Sequence, residues 1–158
     1  MHSRSTADGD LITLCEDRCL RILANKDALF NADGNSNVVA TDRVLGQTIP
    51  FSGNYGISKN PESFASDSYR VYFSDKVRGA IVRLSKDGLT AISDHGMKDF
   101  FKDHLKLTTE IHGSFDDKKD EYNLVLKSSD PDEHKLPRTI SFKEDVRGWV
   151  SFKTFFPD

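Results

Sequence analysis

Apolar and polar positions alternate along most of the chain, and turn-forming residues interrupt that alternation at short intervals. The clearest example is FSDKVRGAIVRL, in which an acidic residue, polar positions and Gly79 separate two apolar runs. A close copy, FKEDVRGWVSFK, begins at Phe142. Each phrase predicts a strand, a tight turn and a second strand, because glycine accepts a positive φ without steric cost.

A third copy of this pattern, GSFDDKKDEYNLVL, lies between the first two. The aligned positions are phenylalanines 73, 115 and 142, acidic turns at Asp75, Asp117 and Glu144, and return strands opening at Ala80, Tyr122 and Trp149. The phenylalanines are 42 and 27 residues apart. The first spacing is close to that of a four-stranded propeller blade, about 40 to 45 residues, and the second suits the other hairpin of one blade. A sandwich or an open antiparallel sheet has similar turns and remains an alternative.

One stretch, SDHGMKDFFKDHLKL, has the period of a helix instead. Its apolar residues recur at i, i+3, i+4 and i+8, namely Met97, Phe100, Phe101 and Leu105. This spacing predicts a single short helix near residues 95–106, with Ser93 or Asp94 as its cap.

The segment from Gln47 to Ser68 is rich in Gly, Pro, Ser and Asn and contains Phe51, Tyr55 and Phe64. Loops of this length in a compact domain are either functional or packed by their own side chains. We expect a loop anchored by these aromatic residues.

These patterns predict a mainly β fold of repeated antiparallel hairpins with one short helix, and propeller-like blades are one arrangement that such hairpins can form. Residues 1–10 are small and polar and are interpreted as a disordered leader, followed by a single β-rich domain over residues 11–158. The sequence stops at SFKTFFPD, at the expected end of a strand. Because arrays of two or three repeats rarely protect their edges, we expect a piece of a larger protein.

Composition and charge exclude several functional classes. The formal net charge is -3 and basic residues alternate with acidic ones, which argues against a nucleic-acid surface. There is no apolar run long enough to span a bilayer and no signal-peptide core, so no membrane association is expected. Cys15 and Cys19 in CEDRC match neither a redox motif nor a zinc site, and reduced thiols made in a cytoplasm are the expectation.

No residues match a catalytic or metal-binding pattern. The spacing of the five histidines fits no ligand motif, and DGNSN at 33–37 lacks the glycine and glutamate that a calcium loop requires later on. Carboxylate pairs for glycoside hydrolysis could be drawn from two charged turns, where acids are normally solvated: Asp116, Asp117, Asp120 and Glu121, or Asp130, Asp132 and Glu133. We therefore expect no enzymatic activity, no cofactor and no metal.

Six residues are candidates for an interaction surface. Arg78 and Arg147, in the two VRG turns, could contact a phosphate or carboxylate, or only cover the turns. With strict alternation, the Trp149 side chain would lie on one face of its strand and the Phe152 side chain on the other. Aromatic residues on both faces are typical of a strand buried between layers or in an assembly. The long loop adds Tyr55 and Phe64.

Four phrases carry a resemblance to a known class of protein: RCLRILANKDALFNADGN, FSGNYGISKNPESFASDSYRVYFSDKVRGAIVRLSKDGLTAISDHGMKDFF, GSFDDKKDEYNLVL and TISFKEDVRGWVSFKTFFP. Over residues 18–157 the chain resembles an internal or C-terminal stretch of the large, tail-associated virion structural proteins of contractile-tailed bacteriophages, especially T-even-like phages of marine bacteria. The resemblance implies a virion protein made in the host cytoplasm, with other virion proteins and further copies of itself as partners. It offers no active-site residues. The start, MHSRSTADGD, does not resemble the beginning of such a protein, so a truncated frame, a fragment or a split gene is expected.

Two other functions remain as alternatives. A carbohydrate-binding or glycan-cleaving host-recognition domain would use Tyr55 and Phe64 as sugar platforms and one acidic pair from the turns. A cellular β-propeller interaction protein would have the same fold and a different partner.

Overall fold

The computed structural model describes residues 2–5, 9–24, 28–30, 36–38, 45–128 and 139–153. Over these residues it contains fourteen strands, one α-helix (α1, Lys98–His104) and two 3₁₀ helices, Pro61–Ser63 and Ile92–Asp94. The strands are β1 His2–Ser5, β2 Leu11–Leu14, β3 Cys19–Ala24, β4 Ala28–Phe30, β5 Ser36–Val38, β6 Leu45–Pro50, β7 Ala65–Ser66, β8 Val71–Asp75, β9 Ala80–Ser85, β10 Gly88–Ala91, β11 Thr108–Asp116, β12 Glu121–Ser128, β13 Thr139–Lys143 and β14 Gly148–Lys153. The predicted mainly β fold is confirmed.

Twelve of these strands form three antiparallel sheets of four strands each. Sheet 1 has the order β1-β2-β3-β6, sheet 2 has the order β7-β8-β9-β10, and sheet 3 has the order β11-β12-β13-β14. The small β4–β5 hairpin interrupts sheet 1 between β3 and β6. Neighbours in sequence are therefore neighbours in space, which is the repeated-hairpin architecture that the alternation predicts.

Sheet 2 is the middle layer, and its strand β8 is buried on both faces. Val71 and Phe73 belong to one apolar cluster, shared with Leu14 and Cys19 of sheet 1. Tyr72 points the opposite way, into a second cluster formed with sheet 3 and α1. A strand that is apolar on both faces is typical of a sheet covered on both sides.

Sheet 3 packs on sheet 2 with equivalent strands facing each other. The ring of Tyr72, on the second strand of sheet 2, stacks on that of Tyr122, on the second strand of sheet 3, with centroids 5.0 Å apart. Phe115 of β11 stacks on the same ring at 5.6 Å. Such layering is seen between adjacent propeller blades. The three sheets form no closed barrel over the described residues, so the propeller-like arrangement stays a prediction.

The helix lies within the predicted range and buries the predicted stripe. Phe101 and Leu105 are fully buried, and Met97 and Phe100 pack against the same cluster. The predicted capping by Ser93 or Asp94 is wrong, because the residue before the helix is Met97, which makes no side-chain cap. Both residues instead belong to the second 3₁₀ helix.

The first residues differ from the interpretation as a disordered leader. His2–Ser5 form β1 and pair antiparallel with Leu11–Leu14. The Arg4 side chain also donates a hydrogen bond of 3.4 Å to the carbonyl of Arg70. The pairing gives this polar segment backbone partners that its sequence alone does not reveal.

The three similar hairpins share a turn geometry that is shifted from their sequence alignment. Each has a four-residue loop, at 76–79, 117–120 and 144–147, whose last residue has a positive φ. These last residues are Gly79 at 66°, Asp120 at 54° and Arg147 at 49°. The structural counterparts of Asp75 are therefore Asp116 and Lys143, one residue before the aligned Asp117 and Glu144.

The hairpins also occupy different places in their sheets. β11–β12 and β13–β14 are the two hairpins of sheet 3, as the spacing of 27 residues predicts. The β8–β9 hairpin consists of the two central strands of sheet 2, so the spacing of 42 residues does not join equivalent hairpins.

Candidate functional site

A buried carboxylate joins the long loop to the first VRG turn. Asp75, at the end of β8, has no exposed surface. Its Oδ2 accepts hydrogen bonds from the Gly56 backbone N–H at 3.1 Å and from Arg78 Nη1 at 3.0 Å. Its Oδ1 accepts from the Ser58 hydroxyl at 3.3 Å and from the Arg78 backbone N–H at 3.0 Å. These bonds fix the loop, the turn and the Arg78 side chain relative to one another.

A cavity of about 370 Å³ opens beside this network, between the long loop, the β8–β9 turn and α1. We call it the basic cavity; its charged and polar lining includes Tyr55, Arg78, Ser93, Asp94, Lys98 and Lys102. The turn approaches the helix closely, since a Cβ placed on Gly79 would lie 2.7 Å from the Cα of Lys102. Glycine at this position therefore permits the contact that closes one wall of the cavity.

Three cations meet at the basic cavity. Arg78 is about one-third exposed and already bound to Asp75. Lys98 is 70% exposed and lies 3.9 Å from Asp94, which is a long and solvated ion pair. Lys102 is exposed on the next turn of the helix. The cavity can therefore attract an anionic group without first breaking a strong interaction.

A second cavity, of about 510 Å³, lies between sheets 2 and 3 near the start of β8. We call it the salt-bridged groove. At its centre, Glu144 accepts hydrogen bonds from the Tyr72 hydroxyl at 2.8 Å and from Arg83 Nη1 at 2.7 Å. Its charged lining consists of three arginines, Arg70, Arg83 and Arg147, and four carboxylates, Asp87, Asp120, Glu144 and Asp145. The groove holds the two sheets together and offers no excess positive charge to an anionic ligand.

The buried protic groups are unsuited to acid–base or nucleophilic chemistry near neutral pH. Burial, with smaller effects from Cys15 and Asp75, raises the pKa of the Cys19 thiol to about 12. Its Sγ donates to the Tyr55 carbonyl at 3.3 Å. Burial also raises the pKa of Tyr72 and of Tyr122, and the Tyr122 hydroxyl donates to the Ser63 carbonyl at 2.8 Å. All three groups are protonated and serve packing.

The structure separates the six predicted interface residues. Tyr55 and Arg78 come together at the basic cavity, and Arg147 lines the salt-bridged groove. Phe64 packs half-buried against the cluster between sheets 1 and 2. Lys98 and Lys102 were missed by sequence reasoning, because lysines on the polar face of a helix are usually solvated.

Trp149 is partly buried and packs against the core cluster between sheets 2 and 3. Its Nε1 donates to the Ile92 carbonyl at 3.2 Å, and its ring lies 4.6 Å from that of Phe101 and 5.3 Å from that of Phe142. Phe152 is 55% exposed on the same strand.

The predicted strict alternation of Trp149 and Phe152 is wrong. The register shifts between Ser141 and Phe142, so that Trp149 pairs with Phe142 whereas Phe152 pairs with Ile140. Cross-strand partners share a face, and Phe142 and Ile140 are two residues apart. Trp149 and Phe152 therefore lie on one face, and Phe152 is exposed at its edge.

The described part of the chain contains no group of three or more His, Cys, Asp or Glu side chains that could hold a metal ion. His95, His104 and His112 lie beside different neighbours: Phe142, Phe100 and Glu110. Asp116 accepts hydrogen bonds from the backbone N–H groups of Lys118 and Lys119, which is a turn-stabilising role. Residues 130, 132 and 133 lie outside the described ranges.

No protein-family model matches the sequence, and no curated protein is significantly similar to it. Among the described helices, none has the length and apolar character needed to cross a bilayer.

Proposed function

We propose that the chain is a non-enzymatic structural module of a bacteriophage virion, associated with the tail, that acts through contacts with other virion proteins and with further copies of itself. The observation that carries this proposal is the outer edge of sheet 3. β14 pairs with β13 on one side, and no described strand pairs with its other side. On this strand Val150 is 42% and Phe152 is 55% exposed. Exposed apolar side chains on an edge strand favour an assembly contact.

The turn tips support the same proposal. Both VRG turns present an apolar side chain to solvent: Val77 is 66% and Val146 is 61% exposed. Each valine stands beside an arginine, Arg78 or Arg147. An apolar contact next to a cation is a common composition for a protein–protein interface.

The layered fold and the resemblance of the four sequence phrases to tail-associated proteins add to the proposal. We infer that the three sheets are consecutive blades of a propeller-like stack, in which each sheet covers the apolar face of the next. A partner strand would then pair with β14 and extend sheet 3 at its outer edge.

The test is peptide mass spectrometry on gradient-purified particles. The tryptic peptides DEYNLVLK and GWVSFK, which begin at Asp120 and Gly148, identify the chain. We expect both at amounts comparable to known tail proteins, with a replication protein of the same phage as the negative control. Their absence from particles, when they are present in the infected-cell lysate, would contradict the proposal.

A carbohydrate-binding host-recognition domain is the second candidate, and one observation favours it. Tyr55 borders the basic cavity and could stack on a sugar ring there. Loss of glycan-array binding in Tyr55→Ala, with binding retained in Tyr69→Ala, would support this candidate. Tyr69 is the matched control because it is 78% exposed. No binding by the parent protein would exclude it.

A further inference from the structure

We propose that the basic cavity is a carboxylate-binding site that receives an aspartate or glutamate side chain of another protein. This inference assigns a ligand chemistry to one surface and goes beyond the proposed function. It holds whether or not the partner belongs to a virion.

The charge of the cavity favours a monoanion. Its lining contributes three cations, Arg78, Lys98 and Lys102, and one carboxylate, Asp94. Asp75 lies directly behind Arg78 and neutralises part of its charge. Three positive charges against two negative charges leave one positive charge, which a single carboxylate matches better than a phosphate dianion.

The Arg78 guanidinium is preorganised for this role. Its Nη1 is bound to Asp75 and its own backbone N–H binds the same carboxylate, so the side chain is held in place before a ligand arrives. A fixed guanidinium loses less conformational entropy on binding than a free one. Lys98 and Lys102 supply mobile ammonium groups that can adjust to the ligand.

A protein side chain fits the surroundings better than an acidic sugar does. Val77, 66% exposed and adjacent to Arg78, offers an apolar contact beside the charge. A sugar also needs several fixed hydrogen-bonding groups for its hydroxyls. Of the polar lining residues, only Ser93 is buried, and the two lysines are exposed. The cavity therefore provides positive charge but few oriented hydrogen-bond donors. This combination suits a side-chain carboxylate better than a sugar.

The experiment is an NMR titration of the full chain, labelled with ¹⁵N, against blocked oligoglutamate. Oligoglutamine of the same length is the control for charge, and oligogalacturonate is the control for an acidic sugar. We expect oligoglutamate to shift the amide signals of Gly79, Ser93 and Lys102. We also expect its binding to weaken as salt is added.

A matched pair of double variants tests the position of the site. Lys98→Gln with Lys102→Gln should weaken oligoglutamate binding by about tenfold, the combined effect of two exposed ion pairs. Lys86→Gln with Lys118→Gln removes two exposed lysines outside the cavity and should leave binding unchanged. All four positions are exposed, so both variants should keep the parent fold.

Three results would overturn the proposal: equal shifts with oligoglutamine, no difference between the two double variants, or tighter binding of oligogalacturonate than of oligoglutamate. The last result would assign the cavity to an acidic sugar. None of them bears on whether the chain is a virion component, which the mass spectrometry decides separately.

Discussion

The Tyr72 hydroxyl donates a hydrogen bond of 2.8 Å to Oε1 of Glu144, which lies 72 positions later in the chain. The other oxygen of Glu144 accepts from Arg83 at 2.7 Å, and the two side chains of this ion pair are only 8% and 20% exposed. One carboxylate therefore ties the last described turn of sheet 3 to two strands of sheet 2. The bond therefore fixes the position of the carboxylate in the salt-bridged groove between these sheets.

Replacing Glu144 by alanine should reduce the free energy of unfolding by about 3 kcal/mol, because the mostly buried Arg83 loses the charge partner that it has within the described ranges. The Arg83 Nε already has no hydrogen-bond partner there. Urea denaturation followed by circular dichroism measures the loss. Asp145→Ala, one residue later and exposed, should change the free energy by less than about 0.5 kcal/mol. Equal losses in both variants would contradict the anchoring role of Glu144.

Asp75→Ala should cost about 3 to 5 kcal/mol of folding stability, since it leaves a guanidinium and two backbone N–H groups without their acceptor. Asp117→Ala should cost less than about 0.5 kcal/mol, because this side chain is exposed although the sequence aligns it with Asp75. Guanidinium denaturation of both variants tests the one-residue shift between the sequence alignment and the turn geometry. A similar loss of stability at both positions would mean that Asp75 and Asp117 are structurally equivalent, as the sequence alignment has it.

Local patterns predict the strands and the helix because alternation and turn residues act over a few positions. They do not predict the turn register, since the non-glycine residues Asp120 and Arg147 take the positive φ that Gly79 has in the first hairpin. Nor do they predict the bond between Tyr72 and Glu144, which depends on how two sheets stack.

The candidate site was predictable only in part, for the same reason. Arg78 stands out because it belongs to a repeated phrase. Lys98 and Lys102 join it only because the helix packs against the β8–β9 turn, a contact between distant segments. The packing of Trp149 against the core similarly depends on the register shift in β14.

Truncation of Trp149 should reduce folding stability, whereas truncation of Phe152 should mainly weaken assembly. Trp149→Leu should lower the free energy of unfolding by about 2 to 3 kcal/mol, because it removes the ring packed on Phe101 and the hydrogen bond to Ile92. Phe152→Ser, at a side chain 55% exposed, should cost less than about 1 kcal/mol and weaken only assembly. Circular dichroism melts measure the first effect and analytical ultracentrifugation the second. A large loss of stability in Phe152→Ser would exclude its role as a surface contact.

The two cysteines should differ in reactivity. Burial raises the pKa of Cys19 to about 12, so very little reactive thiolate forms at neutral pH, whereas Cys15 is half-buried. Iodoacetamide at about pH 8 should therefore modify Cys15 and spare Cys19 in the folded protein, as read by peptide mass spectrometry. In denaturant both should react, which is the control for access. Rapid labelling of Cys19 in the folded protein would mean that the cluster between sheets 1 and 2 opens readily.

Stability should fall on the alkaline side because of the buried phenols. Burial raises the pKa of Tyr72 and Tyr122, whereas phenols of an unfolded chain ionise near pH 10. Below about pH 9 both states hold the same protons at these groups; above it the unfolded state binds fewer, so the free energy of unfolding falls as the pH rises.

Tyr122→Phe should reduce this slope by up to about 1.4 kcal/mol per pH unit, because one buried phenol no longer titrates. At neutral pH it should cost about 1 kcal/mol, since the hydrogen bond to the Ser63 carbonyl is lost. Urea denaturation at about pH 8 and about pH 11 gives both quantities. Tyr69→Phe, at a side chain 78% exposed, is the matched control for loss of a tyrosine hydroxyl and should change the free energy of unfolding at about pH 8 by less than about 0.5 kcal/mol. If Tyr122→Phe leaves the slope unchanged, Tyr122 ionises in the folded state and is not buried as the packing of sheets 2 and 3 requires.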